Sequence, residues 1–226
     1  MKTYKAIAIF AICLCLFSSL ALAGSWDMIG HLPQGAVDDM AVGRYVDSLG
    51  YNCIAVVGGQ AGGTAYSDAY YYDPVANSWT GLPSFPITCN GPAAASVGDT
   101  LYVNGGYNSV TYAKSESTFF YDESGYMWFN FATMNMLTPR LNHGLVNIYG
   151  QYLYAVGGST GVMSMADSTV ERLDTQGGPS LYVKPMPQGR KNAVTAVAIG
   201  VDAKPHIYVI GGYSHTGALL NSVIEY

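Results

Sequence analysis

Tyr152-Leu153-Tyr154-Ala155-Val156-Gly157-Gly158 is written four times in this chain, each time in altered form. The other copies are Cys53-Ile54-Ala55-Val56-Val57-Gly58-Gly59, Leu101-Tyr102-Val103-Asn104-Gly105-Gly106 and His206-Ile207-Tyr208-Val209-Ile210-Gly211-Gly212. Each is a short β-branched and aromatic run, the composition of a buried strand, stopped by two glycines. Glycine there lets the chain turn through positive φ without a Cβ clash. The doublets begin at 58, 105, 157 and 211, in steps of 47, 52 and 54 residues. A period near fifty with strand content means repeated sheets.

Each doublet belongs to a longer frame. A polar loop follows, then an aromatic run ending in Asp, as in Tyr70-Tyr71-Tyr72-Asp73 and Phe119-Phe120-Tyr121-Asp122; the third and fourth copies read Val170-Glu171-Arg172-Leu173-Asp174 and Val223-Ile224-Glu225-Tyr226. Seven residues beyond Tyr72 and Tyr121 stand Trp79 and Trp128, and the third copy offers Tyr182 in their place. A Pro-containing turn leads on to runs of small residues, such as Ala93-Ala94-Ala95 and Ala193-Val194-Thr195-Ala196. Small residues suit strands crowded at a central axis, and large aromatics suit outer strands that fill the wedge between sheets.

This frame resembles the kelch repeat, the blade of a family of β-propellers. The resemblance rests on the doublets Gly58-Gly59, Gly105-Gly106, Gly157-Gly158 and Gly211-Gly212, on the spaced Tyr and Trp, and on Pro139-Arg140 before a first strand; it covers residues 24–226. It implies an all-β propeller of four repeats, near 33–82, 83–138, 139–186 and 187–226. Trp26 is followed by Leu32-Pro33 much as Trp79 is by Leu82-Pro83, so residues 24–30 read as an outer strand completing the last repeat. The expectation is either a four-bladed ring closed by that strand or an incomplete propeller arc.

Residues 1–23 read as a cleavable export signal: Lys2 and Lys5, an apolar run, then Ala21-Leu22-Ala23. The mature chain is therefore expected to be secreted or periplasmic, with no membrane span. Removing the two lysines takes the formal charge from −5 to −7, which argues against nucleic acid or an anionic membrane as partner. Cys53 and Cys89 remain. In an oxidising compartment they are either a disulfide, worth about 3 kcal/mol in the loop-entropy account, or two small buried thiols.

In kelch propellers the loops at one end of the central channel bind ligands and partners. By resemblance those loops here hold Arg140, Asn142, Arg190, Lys191, Tyr66, Tyr107 and Tyr213, with Gln60, Asn108, Tyr112 and His143 beside them. Flat aromatics next to amide and guanidinium donors are what a sugar or a carboxylated sugar needs. Arg140 also reads as a brace for backbone carbonyls, because the motif itself often places Arg there. The histidines lack metal-ligand spacing. No nucleophile elbow, zinc-protease motif or phosphate loop occurs, so no catalytic residue, cofactor or metal is expected. The reading is an exported protein- or glycan-binding module. The alternatives are a carbohydrate-processing enzyme resembling the sialic-acid mutarotases, with Arg140 and Arg190 facing Glu116 or Glu171, and a propeller fragment without independent function.

Overall fold

The computed structural model describes residues 28–161 and 165–226. Its regular elements are strands, apart from one short turn of 3-10 helix at Ala132–Met134. The frame repeated in the sequence folds each time into an antiparallel meander. Blade 1 takes Ala41–Val46, Asn52–Val57, Ala69–Asp73 and Ser78–Leu82 in that order. Blade 2 takes Cys89–Val97, Thr100–Asn108, Thr118–Asp122 and Met127–Asn130, and blade 3 takes Gly144–Ile148, Tyr152–Val156, Val170–Asp174 and Leu181–Val183. Among the described residues blade 4 has three strands, Val194–Ile199, Pro205–Ile210 and Val223–Glu225. The expected fourth strand at residues 24–30 lies largely outside the described residues; Met28–Gly30, which are described, belong to no strand.

The four blades follow one another around a common axis in the ring arrangement of a β-propeller. Because alternate side chains leave a strand on opposite faces, each blade has one face toward the previous blade and one toward the next. Three apolar clusters fill the joints. Ala41, Tyr45, Ala55 and Val57 meet Leu101, Val103 and Tyr121 in the first. Ala93 and Tyr102 meet Leu145, Leu153 and Leu173 in the second, and Val146, Tyr154 and Val156 meet Ile207 and Val209 in the third. Among the described residues no such cluster joins blade 4 to blade 1.

Crowding at the axis explains the small inner-strand residues. A Cβ on Gly43 would sit 2.9 Å from Leu101 Cδ1, and one on Gly144 would lie 2.1 Å from the Thr195 side chain. Outward, the wedge widens and aromatics fill it. Tyr121 pairs with Trp128, whose ring stands edge-on to Phe85 at 5.2 Å while its Nε1 donates to the Pro83 carbonyl at 2.9 Å. Tyr72 and Trp79 pair in the same way, with ring centroids 5.3 Å apart.

One sequence expectation is corrected here, and one open alternative is decided. Tyr182 does not take the tryptophan position, because it stands opposite Glu171 and is exposed, whereas Trp79 and Trp128 stand opposite Tyr72 and Tyr121. Cys53 and Cys89 form no disulfide. Both are free, buried thiols in the first joint, and burial pushes them up to about 11 and about 12.

Candidate functional site

The loops after the glycine doublets and those before the inner strands meet at one end of the propeller, held by short bridges: Asp38 with Gln60, Tyr66 with Cys89, Leu141 with Ser159, and Lys191 with Tyr213. The doublets set this geometry. The first glycine of each has φ between +63° and +68°, and the second between +87° and +99°. In each joint the second glycine donates its N–H to the next blade: Gly59 to the Cys89 carbonyl, Gly106 to that of Arg140 and Gly158 to that of Arg190, at 2.8–3.0 Å. A return bond runs the other way around the axis. Gly91 donates to Asp39, Asn142 to Gly91 and Asn192 to Asn142, at 2.8–2.9 Å. Those four axial residues all have positive φ, between +52° and +64°, which Asp and Asn tolerate better than most side chains.

Arg140 and Arg190 do not face this end. Arg140 is wholly buried, with its guanidinium donating to the Gly157 carbonyl at 2.7 Å and to Thr169, and pairing with Glu171. Glu171 in turn accepts the backbone N–H groups of Leu137 and Thr138. Arg190 is buried likewise and donates to the carbonyls of Gly211 and Ser222, each at 2.9 Å. Both arginines brace the turn of their own blade, since a planar fork of donors satisfies several carbonyls at once. Their assignment as ligand contacts is corrected accordingly, and the arginine pair with Glu171 that would serve a mutarotase-like site is enclosed in the blade. Asn142 holds the axial ladder through its backbone.

His143 stands next to the axis. Its Nε2 is 2.8 Å from Asn104 Oδ1, and complete burial, helped by the Arg140 charge, holds it well below the usual imidazole range. It is neutral at physiological pH.

The remaining sequence candidates lie on or near the open end. Tyr107 lines a cleft of about 750 Å³ between blades 2 and 3, together with Asn90, Tyr112, Lys114, Thr138 and Leu141. Tyr112 is 79% exposed. Lys114 reaches across the cleft to the Gly161 carbonyl, and partial burial, with the charge of Lys191, holds its pKa below the ordinary lysine value. The sequence placed Lys114 in no motif, and the aromatic loop that precedes it was its only signal. Tyr213 is exposed on the blade 4 loop and Tyr66 half-buried on that of blade 1, so they lie outside the cleft. Among the described residues there is no cluster of side chains suited to a metal ion, and no helix is long and apolar enough to cross a membrane.

Comparison with known proteins agrees with this geometry. The Kelch motif family model matches residues 50–86. Human Kelch-like protein 23 is 27% identical over 180 residues, covering 77% of this chain and 29% of its own length. Human Kelch repeat and BTB domain-containing protein 13 is 30% identical over 132 residues, 58% of this chain and 28% of its own. The chain thus spans less than a third of these relatives. A solved structure titled "Structure of YjhT" superposes with a TM-score of 0.65 at 15% identity, over 91% of this chain and 86% of that one; that likeness speaks for the fold. Four meanders, three doublets docking blade on blade and a matching motif give this chain the fold of a kelch-type β-propeller with four repeats.

Proposed function

We propose that this propeller is an exported binding module that holds a protein partner on its loop end, in the cleft between blades 2 and 3. The observation that carries the reading is the pairing of exposed Tyr112 with Tyr107 and Lys114 at the mouth of that cleft. Aromatic side chains beside a cation, on loops held by a rigid scaffold, supply the area and the anchor of a protein-recognition patch. Similarity to kelch-like proteins supports the same reading. Lys114 favours a partner that presents a carboxylate there.

A photo-crosslinking residue at position 112 tests it, with the same residue at Val75, exposed in a turn of blade 1, as control. Capture of a discrete protein from 112 but not from 75, abolished by Lys114→Glu, is the expected result. No adduct, or the same adducts from both positions, would sink it. The cleft also suits a carboxylated sugar, stacked on tyrosine and held by Lys114. Calorimetry with sialic and uronic acids separates the two readings. Export has its own check, since a mature N-terminus at Gly24 is expected by terminal sequencing.

A further inference from the structure

The strand ends opposite the doublet loops carry a second cleft, of about 460 Å³, between blades 1 and 2. Its mouth is built from the hairpin after Ala41–Val46, the turn at Asp99 and the turn after Thr118–Asp122. These turns bring four carboxylates, Asp47, Asp99, Asp122 and Glu123, to one opening, and among the described residues no lysine or arginine lines it. Asp99 is paired with Arg44 at 3.1 Å, and Asp122 accepts the N–H groups of its own turn through both oxygens. Asp47 and Glu123 are only half engaged. Asp47 accepts from Leu49 and Tyr51 through Oδ1, and Glu123 accepts from the Tyr45 hydroxyl through Oε2.

An acidic rim alone is a solvated surface, and the floor beneath it makes the difference. Tyr121 lines the cleft and is 4% exposed, yet its hydroxyl has no hydrogen-bond partner among the described residues. Its ring meets that of Tyr45 edge-on across the joint, with centroids 5.8 Å apart. Burial, helped by Glu123, pushes both hydroxyls well above the ordinary phenol range, so each keeps its proton. The joint itself needs neither hydroxyl. Counted from the glycine doublets, Val97 and Leu173 hold the same two places between blades 2 and 3, and they pack there without a polar atom. A buried hydroxyl without a partner costs free energy. In blade 2 that cost falls where an atom entering the cleft can remove it.

We propose that this cleft binds an alkylammonium group, its amine on Glu123 and the Tyr121 hydroxyl and its stem on Leu101 and the tyrosine rings. An ammonium only donates, so it matches a carboxylate oxygen and the lone pairs of a phenol at once. Tyrosine faces add attraction for the cation, and Leu101 offers an apolar wall to its methylenes. A metal ion fits less well. The carboxylates ring the mouth without converging, and among the described residues no group of them is placed to hold one. Two sources carry the chemistry that does fit: a free aliphatic amine, and the lysine side chain of a protein.

The test is calorimetric titration of the full chain with cadaverine and with Nα-acetyl-lysine amide. Saturable binding at a single site is expected, and pentanol, which lacks the charge, should give none. Glu123→Gln and Tyr121→Phe should each weaken it about tenfold or more, the worth of a hydrogen bond to a charged group. Asp38→Asn, the same loss of charge at an exposed position on the doublet end, should leave it unchanged. Because Tyr121→Phe keeps the ring, a urea midpoint no lower than that of the wild type shows that the joint is intact and that the hydroxyl was the contact. Binding of the lysine amide assigns the cleft to a protein side chain, and binding of cadaverine alone assigns it to a free amine. No binding of either probe, or binding that Glu123→Gln and Tyr121→Phe weaken no more than Asp38→Asn does, overturns the proposal.

Discussion

Arg140 and Glu171 form an ion pair with both side chains fully excluded from solvent, and neither group faces a binding surface. Glu171 caps the N–H groups of Leu137 and Thr138 while Arg140 reaches the Gly157 carbonyl, so the pair ties the connection between blades 2 and 3 to the third strand of blade 3. Removing one partner leaves the other charge buried and uncompensated, which costs about 3–5 kcal/mol. Arg140→Met is expected to lower the urea midpoint accordingly, while a loop substitution such as Tyr213→Ala leaves it nearly unchanged. Equal effects from the two would show that Arg140 is no brace.

Gly157 and Gly211 isolate the contribution of a blade joint. Their φ values are +63° and +64°, so an alanine suffers the same backbone strain at either position. A Cβ at 157, however, would lie 2.5 Å from the Arg190 carbonyl, whereas at 211 the nearest atom is Leu220 O at 3.4 Å. Gly157→Ala should therefore destabilise by about 1–3 kcal/mol more than Gly211→Ala, the usual range for overpacking. Denaturant titration of the two variants decides it, and equal costs would mean that the joint yields freely.

His143 gives the fold a dependence on acid. Burial holds its folded pKa well below the unfolded value of about 6.5, so the unfolded chain binds a proton that the folded chain refuses. Stability is full above about pH 6.5 and falls as the pH drops below it, by at most about 1.4 kcal/mol per pH unit for one proton. His143→Gln should flatten the urea midpoint between pH 7 and pH 5 relative to wild type. Parallel pH profiles for the two proteins would rule out His143 as the source.

Cys53 and Cys89 are expected to resist thiol reagents in the native state, since thiolate is the reactive form and burial suppresses it. Both should label on unfolding, and reductant should leave the melting temperature unchanged. A lower melting temperature in reductant would show that they are bonded in the purified protein.

The sequence expectation for residues 24–30 is tested by deletion. If they supply the fourth strand of a last blade, their removal lowers the melting temperature by several degrees, as Val223–Glu225 would lose a partner strand. An unchanged melt discards that role.

The blades were legible because their signals are local and periodic. Apolar strands stop at glycine pairs, and Tyr72 and Trp79, or Tyr121 and Trp128, lie close enough in sequence to be seen as partners. The joints left little trace, because their polar rungs are main-chain groups: the carbonyl of Cys89 accepts the same rung as those of Arg140 and Arg190, with an unlike side chain. The two arginines were misplaced for a related reason. Whether a guanidinium points to the loops or into the blade depends on Glu171 and Ser222, both more than thirty residues away, and no spacing rule links them. Tyr182 misled because blade 3 keeps the register of the other blades: Val170 pairs with Val183 as Ala69 does with Leu82, so Tyr182 falls at the place of Gly81 and not of Trp79.

Joints written in the main chain make blades interchangeable. A blade that keeps its glycine pair, its axial positive-φ residue and an apolar residue on each face can change nearly every other side chain and still dock on its neighbours. Selection can then act on one loop at a time, and a gene of this kind can gain or lose a whole repeat, or exchange one with a relative, without redesign of what remains.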